Sequence, residues 1–288
     1  MALGNLAQRA LVAVVAVPVL LLLLHYHRPE PWWAVVFLAT LIAMGEFFGM
    51  TLPAEDRLPA IVMGAIAAAS FYWLDASSLA YSSSKLLAAG VAAGTTITVF
   101  FTVIAPGLYY LFRFRDIPSV ATRYAATVAG IVYTGLLPTF LAMLKRIDPN
   151  QVGDTVLIVL LVAWVADTGA YFAGRFLGKA KLYPAVSPKK TWAGAWGGLA
   201  GSVLGVAVLK LLFADWLTWP DVFLIAIPGG ILGQLGDLAE SLIKRSVGVK
   251  DSGTLLPGHG GILDRIDAVL FIGPYVYGYL VVRFLLAK

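Results

Sequence analysis

The feature of this sequence that most constrains its fold is a series of nine apolar segments, each about 17 to 25 residues long, the length that a helix needs to cross a bilayer. The segments cover residues 9–26, 32–50, 58–74, 87–111, 121–143, 154–176, 191–213, 221–245 and 264–286. In the hydrocarbon core, backbone N–H and C=O groups must pair within a helix or a closed barrel. The sequence therefore predicts an all-α, polytopic integral membrane protein with about nine transmembrane helices.

The composition argues against a soluble protein. Hydrophobic residues make up 60% of the chain and charged residues only 13%, which is typical of membrane proteins. The chain has no Cys, so disulfides and thiolate metal sites are excluded. No stretch resembles a nucleic-acid-binding module, so we expect no nucleic-acid partner. The first apolar segment is followed by HYHRPEP, which lacks a small-residue cleavage site, so we expect a retained helix and not a signal peptide.

Lysine and arginine are distributed unequally between the two sides that nine spans define. Fourteen of the 21 lie on the side of the N-terminus and of the loops after even-numbered spans. Cytoplasmic loops carry an excess of these residues, so this side is predicted to be cytoplasmic. It includes the loops after the sixth and eighth spans.

The density of polar residues divides the chain into two regions. Residues 1–150 have few polar groups inside their spans and are predicted to be N-terminal transmembrane scaffold helices. Residues 151–288 are predicted to form a C-terminal transmembrane catalytic region with cytoplasmic loops. Glu46 is the exception in the first region, as either a helix-end residue or part of a cavity. In the seventh span, small residues at four-residue steps predict close helix packing: Gly194 and Gly198, and Gly197, Gly201 and Gly205.

Charge is concentrated between Asp237 and Asp267, where nine charged residues and His259 lie beside apolar sequence. The eighth span should end near Gly248 and the next helix should begin near Asp264, leaving a Gly-rich loop between them. One face of the eighth span is predicted to be polar: Gly230, Gly233, Gln234, Asp237, Glu240, Ser241 and Lys244. Acidic faces on successive helices could close around a cation and a phosphate.

A structural interpretation of the same charges is also open. Asp264 could be an N-cap, Lys244 and Arg245 could be interfacial anchors, and His259 could bind backbone. Three acids have no capping explanation, and an ionisable group at the centre of a membrane helix costs about 2.5 to 3.5 kcal/mol on insertion scales: Asp237, Glu240 and Asp267.

The loop after the sixth span is basic and follows Asp167, which we expect to be buried. Its cations, small residues and hydroxyls suit a polyphosphate: Gly174, Arg175, Gly178, Lys179, Lys181, Ser187, Lys189, Lys190 and Thr191. The alternative is a positively charged loop that contacts anionic lipid headgroups.

The stretch SLIKRSVGVKDSGTLLPGHGGILDRID, residues 241–267, resembles the signature of the phosphatidate cytidylyltransferase (CDP-diacylglycerol synthase) family. The matching positions are Ser241, Lys244, Arg245, Lys250, Asp251, Gly253, Pro257, His259, Gly260, Gly261, Asp264, Arg265 and Asp267. The upstream segments ADTGAYFAGR, SPKKTWAG and GQLGDLAES are also similar to family motifs. Ala193 stands where family members commonly have an acid, so that position is assigned no role.

This resemblance implies a membrane enzyme that joins CTP and phosphatidate into CDP-diacylglycerol and pyrophosphate, using one or two Mg²⁺ ions. It further implies a homodimer that contacts membrane lipid. The protein is then expected in a bacterial inner (plasma) membrane, with its active site facing the cytoplasm. By motif, Asp237 and Asp264 are metal ligands, and the catalytic residues are Asp237, Ser241, Lys244, Asp264 and Asp267. The substrate-binding residues are Asp167, Arg175, Ser187, Lys189, Lys190, Thr191, Arg245, Lys250, Asp251, His259, Gly260, Gly261 and Arg265.

The chemistry is compatible with these residues. Two phosphate groups must meet, and metal ions with Lys and Arg can cancel their repulsion. The attacking phosphate monoester is largely ionised near pH 7, because its second pKa is about 6, so His259 is expected to orient a phosphate or shape the loop. The alternatives are a cytidylyltransferase for another lipid phosphate and an ion-coupled transporter, although clustering of charge near one membrane face argues against the transporter.

Overall fold

The apolar segments form long helices in the computed structural model, which describes residues 18–74, 85–113, 117–147, 153–255 and 260–286. Helix α1 includes residues 18–25. The helices that follow are α2 (Glu30–Thr51), α3 (Ala54–Trp73), α4 (Lys85–Arg113), α5 (Ile117–Gly130), a π-helical segment (Ile131–Leu136), α6 (Leu137–Leu144), α7 (Asp154–Leu177), α8 (Trp192–Leu212), α9 (Trp219–Ser246) and α10 (Leu263–Leu286). The described helix ends agree with the predicted spans to within about one helical turn, with α5, the π-helical segment and α6 together forming the fifth span. The start of the first span lies outside the described residues.

The predicted fold class is confirmed. Within the described ranges, seven helical stretches are long and apolar enough to cross a membrane. The predicted span 9–26 lies mostly outside the described residues. The predicted span 58–74 falls in α3, which is not one of the seven and whose first turns contain Glu55, Asp56 and Arg57. The number nine therefore stays a prediction.

A small β-hairpin occupies the basic segment after α7, for which the sequence predicted only a loop. Strand β1 (Lys181–Tyr183) pairs antiparallel with β2 (Ser187–Thr191). Thr191 ends β2 and begins α8, because its hydroxyl oxygen accepts a hydrogen bond from the Gly194 amide at 3.1 Å as an N-cap. The hairpin thus carries its lysines to the start of α8.

The glycine rows of α8 allow it to pack against α7 with backbones in near contact, as predicted. A Cβ at Gly201 would lie 2.4 Å from the Val165 carbonyl oxygen, and a Cβ at Gly169 would lie 2.4 Å from that of Gly197. Close approach of this kind needs residues without side chains. It fixes the end of α7 beside the hairpin.

At the end opposite the charged loop, side-chain contacts hold α9 against α10. Thr218 and Asp221 form a capping box at the start of α9. The Asp221 carboxylate also accepts from the Tyr279 hydroxyl at 2.6 Å and from Arg283 Nε at 3.0 Å. Because both partners lie on α10, these contacts fix the pairing of α9 with α10, which also packs against α6 and α7.

We predict that Gly201→Ala lowers the melting temperature of the detergent-solubilised protein. The added methyl group would overlap the Val165 carbonyl, and overpacking costs about 1–3 kcal/mol. The matched control is Gly49→Ala in α2, where an added Cβ meets nothing within 4 Å. Equal thermal unfolding curves for Gly201→Ala and Gly49→Ala would contradict the tight α7–α8 contact.

Candidate active site

A cavity of about 630 Å³ lies between α7, α8, α9 and α10, at the end where α7 and α9 stop and where α8 and α10 begin. Predicted site residues that line it are Asp167, Arg175, Lys189, Lys190, Thr191, Asp237, Lys244, Asp251, Asp264, Arg265 and Asp267. Four helices and the hairpin therefore bring together residues as far apart in sequence as 167 and 267.

The cavity is charged at one end and apolar at the other. Val162, Ala163, Gly230, Gly233 and Ile272 line the inner part, farther along the helices from the charged loops. The charged groups lie where the helices end. Such a shape can hold a polar headgroup with its attached hydrocarbon.

The polar face predicted for α9 is confirmed. Its members at positions 230, 233, 234, 237, 240 and 244 all line the cavity. Ser241 does not line it, but its hydroxyl donates to Asp237 Oδ1 at 3.4 Å, a long contact. The helix ends at Ser246 and Gly248 has φ of +77°, as the predicted stop requires.

Lys244 forms the most buried ion pairs at the cavity. Its ammonium donates to Glu240 Oε2 at 2.6 Å and to Asp264 Oδ1 at 2.5 Å. The side chains of Lys244, Glu240 and Asp264 are only 9%, 1% and 7% exposed. A buried charge requires such pairing, since losing one partner of a buried pair typically costs about 3–5 kcal/mol. The position of Lys244 therefore depends on both carboxylates.

Asp264 also organises the loop that precedes α10. Its Oδ2 accepts hydrogen bonds from the Ser252 amide at 3.0 Å and the Gly261 amide at 2.8 Å, and it lies 3.0 Å from the Ser252 hydroxyl. Gly260 has φ of +78°, and a Cβ on it would lie 2.6 Å from Asp264 Oδ2. Asp264 is consequently more than a local helix cap, because it joins the loop to Lys244 of α9.

Lys190 connects the hairpin to α9. Its ammonium lies 2.7 Å from Asp237 Oδ2, and the two side chains are 25% and 36% exposed. This pair is more accessible than the Lys244 pairs and lies on the cavity wall. It is the contact through which the basic hairpin meets the acidic face of α9.

Asp167 was expected to be buried, and that expectation is wrong. The residue is exposed on the cavity wall, because this face of α7 borders the open space and not a neighbouring helix. Its accessibility makes it available to a ligand.

Several predicted substrate-binding residues do not line the cavity: Ser187, Arg245, Lys250, Gly260 and Gly261. Arg245 instead donates to the Val249 carbonyl at 2.8 Å, which secures the end of α9. Lys250 is exposed beside Asp251. His259 lies outside the described residues, so its predicted role stays a prediction.

Two residues near the site were not identified from the sequence as part of it. Glu46 of α2, left open above, lies against the residues that begin α10. Tyr133 of the π-helical segment packs against Phe271 of α10. Among the described residues, the Tyr133 hydroxyl and Glu240 Oε1 are buried without a hydrogen-bond partner. The only local signals were an acid inside an apolar span and a tyrosine between glycines, and neither indicates a partner.

The carboxylates suit Mg²⁺, the cofactor that the resemblance implies, to different degrees. In the described ranges, no cluster of three or more His, Cys, Asp or Glu side chains could hold a metal by itself. Mg²⁺ usually takes one or two carboxylates, and water and phosphate complete its shell. Asp237 fits this requirement through Oδ1, because its Oδ2 pairs with the Lys190 ammonium. Asp264 fits only through Oδ1, where an ion would compete with the Lys244 ammonium.

Comparison with known proteins gives consistent relatives. The chain is 44% identical over 149 residues to the phosphatidate cytidylyltransferase of Brucella suis biovar 1 (strain 1330), covering 52% of this chain and 54% of that protein. The identity is 51% over 124 residues with the protein of that name from Staphylococcus haemolyticus (strain JCSC1435), covering 41% and 46%. It is 41% over 152 residues with that of Bacillus subtilis (strain 168), covering 52% and 55%.

The chain therefore spans about half the length of the curated relatives that it matches. A family model gives broader coverage, since that of the "Cytidylyltransferase family" matches residues 7–283. The family resemblance carried by residues 241–267 is thereby confirmed. Because this match extends over nearly the whole described fold, the chain belongs to the cytidylyltransferase family.

Proposed function

We propose that this protein transfers the cytidylyl group of CTP to phosphatidate, giving CDP-diacylglycerol and pyrophosphate in phospholipid biosynthesis. The observation that carries the proposal is the cavity itself, where cations and carboxylates at the helix ends adjoin an apolar interior between membrane-length helices. A soluble nucleotide and a lipid phosphate can meet in such a space. Membership of the cytidylyltransferase family supports the same chemistry.

The charged end of the cavity suits two phosphate-bearing substrates. Arg175, Lys189 and Arg265 are exposed on its wall and can attract them. Lys190 and Lys244 are held at fixed positions by carboxylates. Fixed cations stabilise transferring phosphate groups without having to reorganise during the reaction.

The reaction needs little proton chemistry. An oxygen of the ionised phosphatidate phosphate forms a bond to the α-phosphorus of CTP, and the bond between that phosphorus and the α–β bridging oxygen breaks to release pyrophosphate. No proton has to leave the nucleophile, because a phosphate monoester is mostly a dianion near pH 7, with a second pKa of about 6. Arg175, Lys189 and Arg265, which are exposed on the cavity wall, would balance negative charge of the two anions, because the charges of Lys190 and Lys244 are already offset by carboxylates.

Asp237 is the proposed principal Mg²⁺ ligand, and Asp264 Oδ1 is the proposed second. Mg²⁺ bound there with CTP would neutralise phosphate charge and orient the reacting oxygens. Asp237 also positions Lys190, so its carboxylate serves both the metal and the hairpin.

A transporter is less well supported than an enzyme. In the described part of the chain, the polar residues of the cavity lie towards one end, whereas Asp221 and Arg283 at the opposite end pair with each other at 3.0 Å. The homodimer that the resemblance implies stays a prediction.

We expect the purified protein to convert CTP and phosphatidate to CDP-diacylglycerol and pyrophosphate in the presence of Mg²⁺. Radiolabelled CTP in mixed micelles, with lipid products separated by chromatography, measures this directly. Isoprenoid ether lipid phosphate should be tested in parallel. Labelling of that lipid alone would replace phosphatidate as the acceptor, and labelling of neither would refute the proposal.

Asp237→Asn should lower kcat on the order of 100-fold, the effect of losing one preorganised charge-stabilising group, and high Mg²⁺ should restore little activity. Asp237 is partly exposed, so the melting temperature of the Asp237→Asn protein should stay near the wild-type value. Asp264→Asn should also lose most turnover. Asp215→Asn, in the exposed turn between α8 and α9, is the matched control. Near-normal turnover of Asp237→Asn at limiting Mg²⁺ would remove the metal assignment.

The active site is proposed to face the cytoplasm of a bacterial inner membrane, following the distribution of Lys and Arg. In this Cys-free chain, a membrane-impermeant maleimide should label Lys189→Cys and Lys250→Cys only after cell lysis. Asp215→Cys, at the opposite helix ends, should be labelled in intact spheroplasts. The reverse pattern would invert the topology and exclude cytoplasmic CTP as the substrate.

A further inference from the structure

Glu46, on α2 of the predicted scaffold region, holds the start of α10. Its Oε1 accepts a hydrogen bond from the Ile262 amide at 2.9 Å. Its Oε2 accepts a hydrogen bond from the Leu263 amide at 2.8 Å and lies 3.0 Å from the Ser252 hydroxyl. One carboxylate from a distant helix thus contacts both described ends of the loop between α9 and α10.

These contacts supply hydrogen-bond acceptors to the amides at the start of α10, which the neighbouring side chain of Ile262 cannot do. The first amides of a helix have no partner within the helix, and a side-chain acceptor usually satisfies them. Ile262, at the start of α10, has no oxygen in its side chain. The Glu46 carboxylate supplies one, and negative charge is favourable at a helix N-terminus.

Glu46 and Asp264 both bind the backbone of this loop. Together they accept hydrogen bonds from four backbone amides, two each. The Ser252 hydroxyl lies 3.0 Å from an oxygen of each carboxylate and can donate its single proton to only one at a time. The loop is therefore held between an acid of α2 and an acid of the candidate site.

Two glycines of the signature are explained by the closeness of Glu46. A Cβ at Gly253 would lie 2.6 Å from Glu46 Oε1. At Gly261 it would lie 2.4 Å from Glu46 Oε2 and 2.2 Å from Ser252 Oγ. Neither position leaves room for a side chain while the carboxylate is in place.

We propose that Glu46 is a positioning residue for the active site, and its contacts with Ser252, Ile262 and Leu263 are called the clamp below. By fixing the loop ends against α2, it sets the position of Asp264, which in turn holds Lys244. The inference rests on the proposed function only where turnover is the measurement. The first region of the chain is then part of the catalytic assembly as well as a membrane scaffold.

The test compares Glu46→Gln with Glu30→Gln, an exposed glutamate in the first turn of the same helix. Hydrogen–deuterium exchange with mass spectrometry reports on the amides of Ile262 and Leu263, which donate hydrogen bonds to Glu46. We expect exchange there to be about tenfold faster in Glu46→Gln, the equivalent of one charged hydrogen bond. The peptide that contains Asp221, at the far end of α9, should be unchanged, as should every peptide in Glu30→Gln.

A double-mutant cycle tests the contact without assuming that Glu46→Gln folds normally. Gly253→Ala should speed exchange at Ile262 and Leu263 in the wild-type background and have little further effect in Glu46→Ala, because the overlapping carboxylate is gone. Ser252→Ala, which removes one donor and keeps the carboxylate, should give a smaller effect than Glu46→Gln. Independent, additive effects of Gly253→Ala and Glu46→Ala would refute the clamp.

Turnover separates the clamp from the proposed function. With an active wild type, Glu46→Gln should lower kcat by about tenfold or more while changing the KM for CTP less, because displaced catalytic groups act mainly on the transition state. Wild-type exchange and wild-type kcat in Glu46→Gln would refute the clamp and leave the function standing. Faster exchange in a protein that makes no CDP-diacylglycerol would support the clamp and refute the function.

Discussion

The Lys244 ammonium between the carboxylates of Glu240 and Asp264 is the interaction on which the arrangement of the site depends. All three groups are largely withdrawn from solvent, so each needs the others to offset the cost of burial. The Glu240 contact lies within α9, whereas the Asp264 contact crosses to α10. Opposite charge therefore holds the end of one helix beside the beginning of the next.

This constraint extends through hydrogen bonds to the rest of the assembly. Asp264 holds Ser252 and Gly261 of the loop, and the loop contacts Glu46 of α2. On the other wall, close packing of α7 and α8 fixes the hairpin from which Lys190 reaches Asp237. Charge pairing and small residues thus act together, because the close packing of α7 and α8 brings the hairpin within reach of α9.

Local periodicity predicted much of this structure, because it determines which residues share a helix face. The polar face of α9 and the glycine rows of α8 follow from steps of three and four residues. The end of α9 near Gly248 follows from the preference for glycine just after a helix. The membrane fold class follows from segment length. Each of these inferences uses only residues that are near one another in the sequence.

The remaining features depend on contacts that no local pattern encodes. Glu46 accepts a hydrogen bond from the amide of Ile262, which is 216 residues away in the sequence. An acid inside an apolar span gives no indication of such a partner. The pairing of Lys190 with Asp237 requires the hairpin, which the basic composition of that loop concealed. Asp167 is exposed because the helices around it leave a cavity, and hydropathy records only its apolar neighbours.

A reaction between a nucleotide and a membrane lipid restricts where such charges can lie. Carboxylates and ammonium groups deep in the bilayer are costly, whereas at a fully aqueous surface their attraction for phosphate would be screened. The charges of the cavity lie where α7 and α9 end and where α8 and α10 begin, and the ends of membrane-length helices are where both conditions can be met. The low-dielectric wall formed by Val162, Ala163 and Ile272 strengthens the field of charges beside it. The same wall can accommodate hydrocarbon, so the proposed chemistry requires the cavity to be polar at one end and apolar at the other.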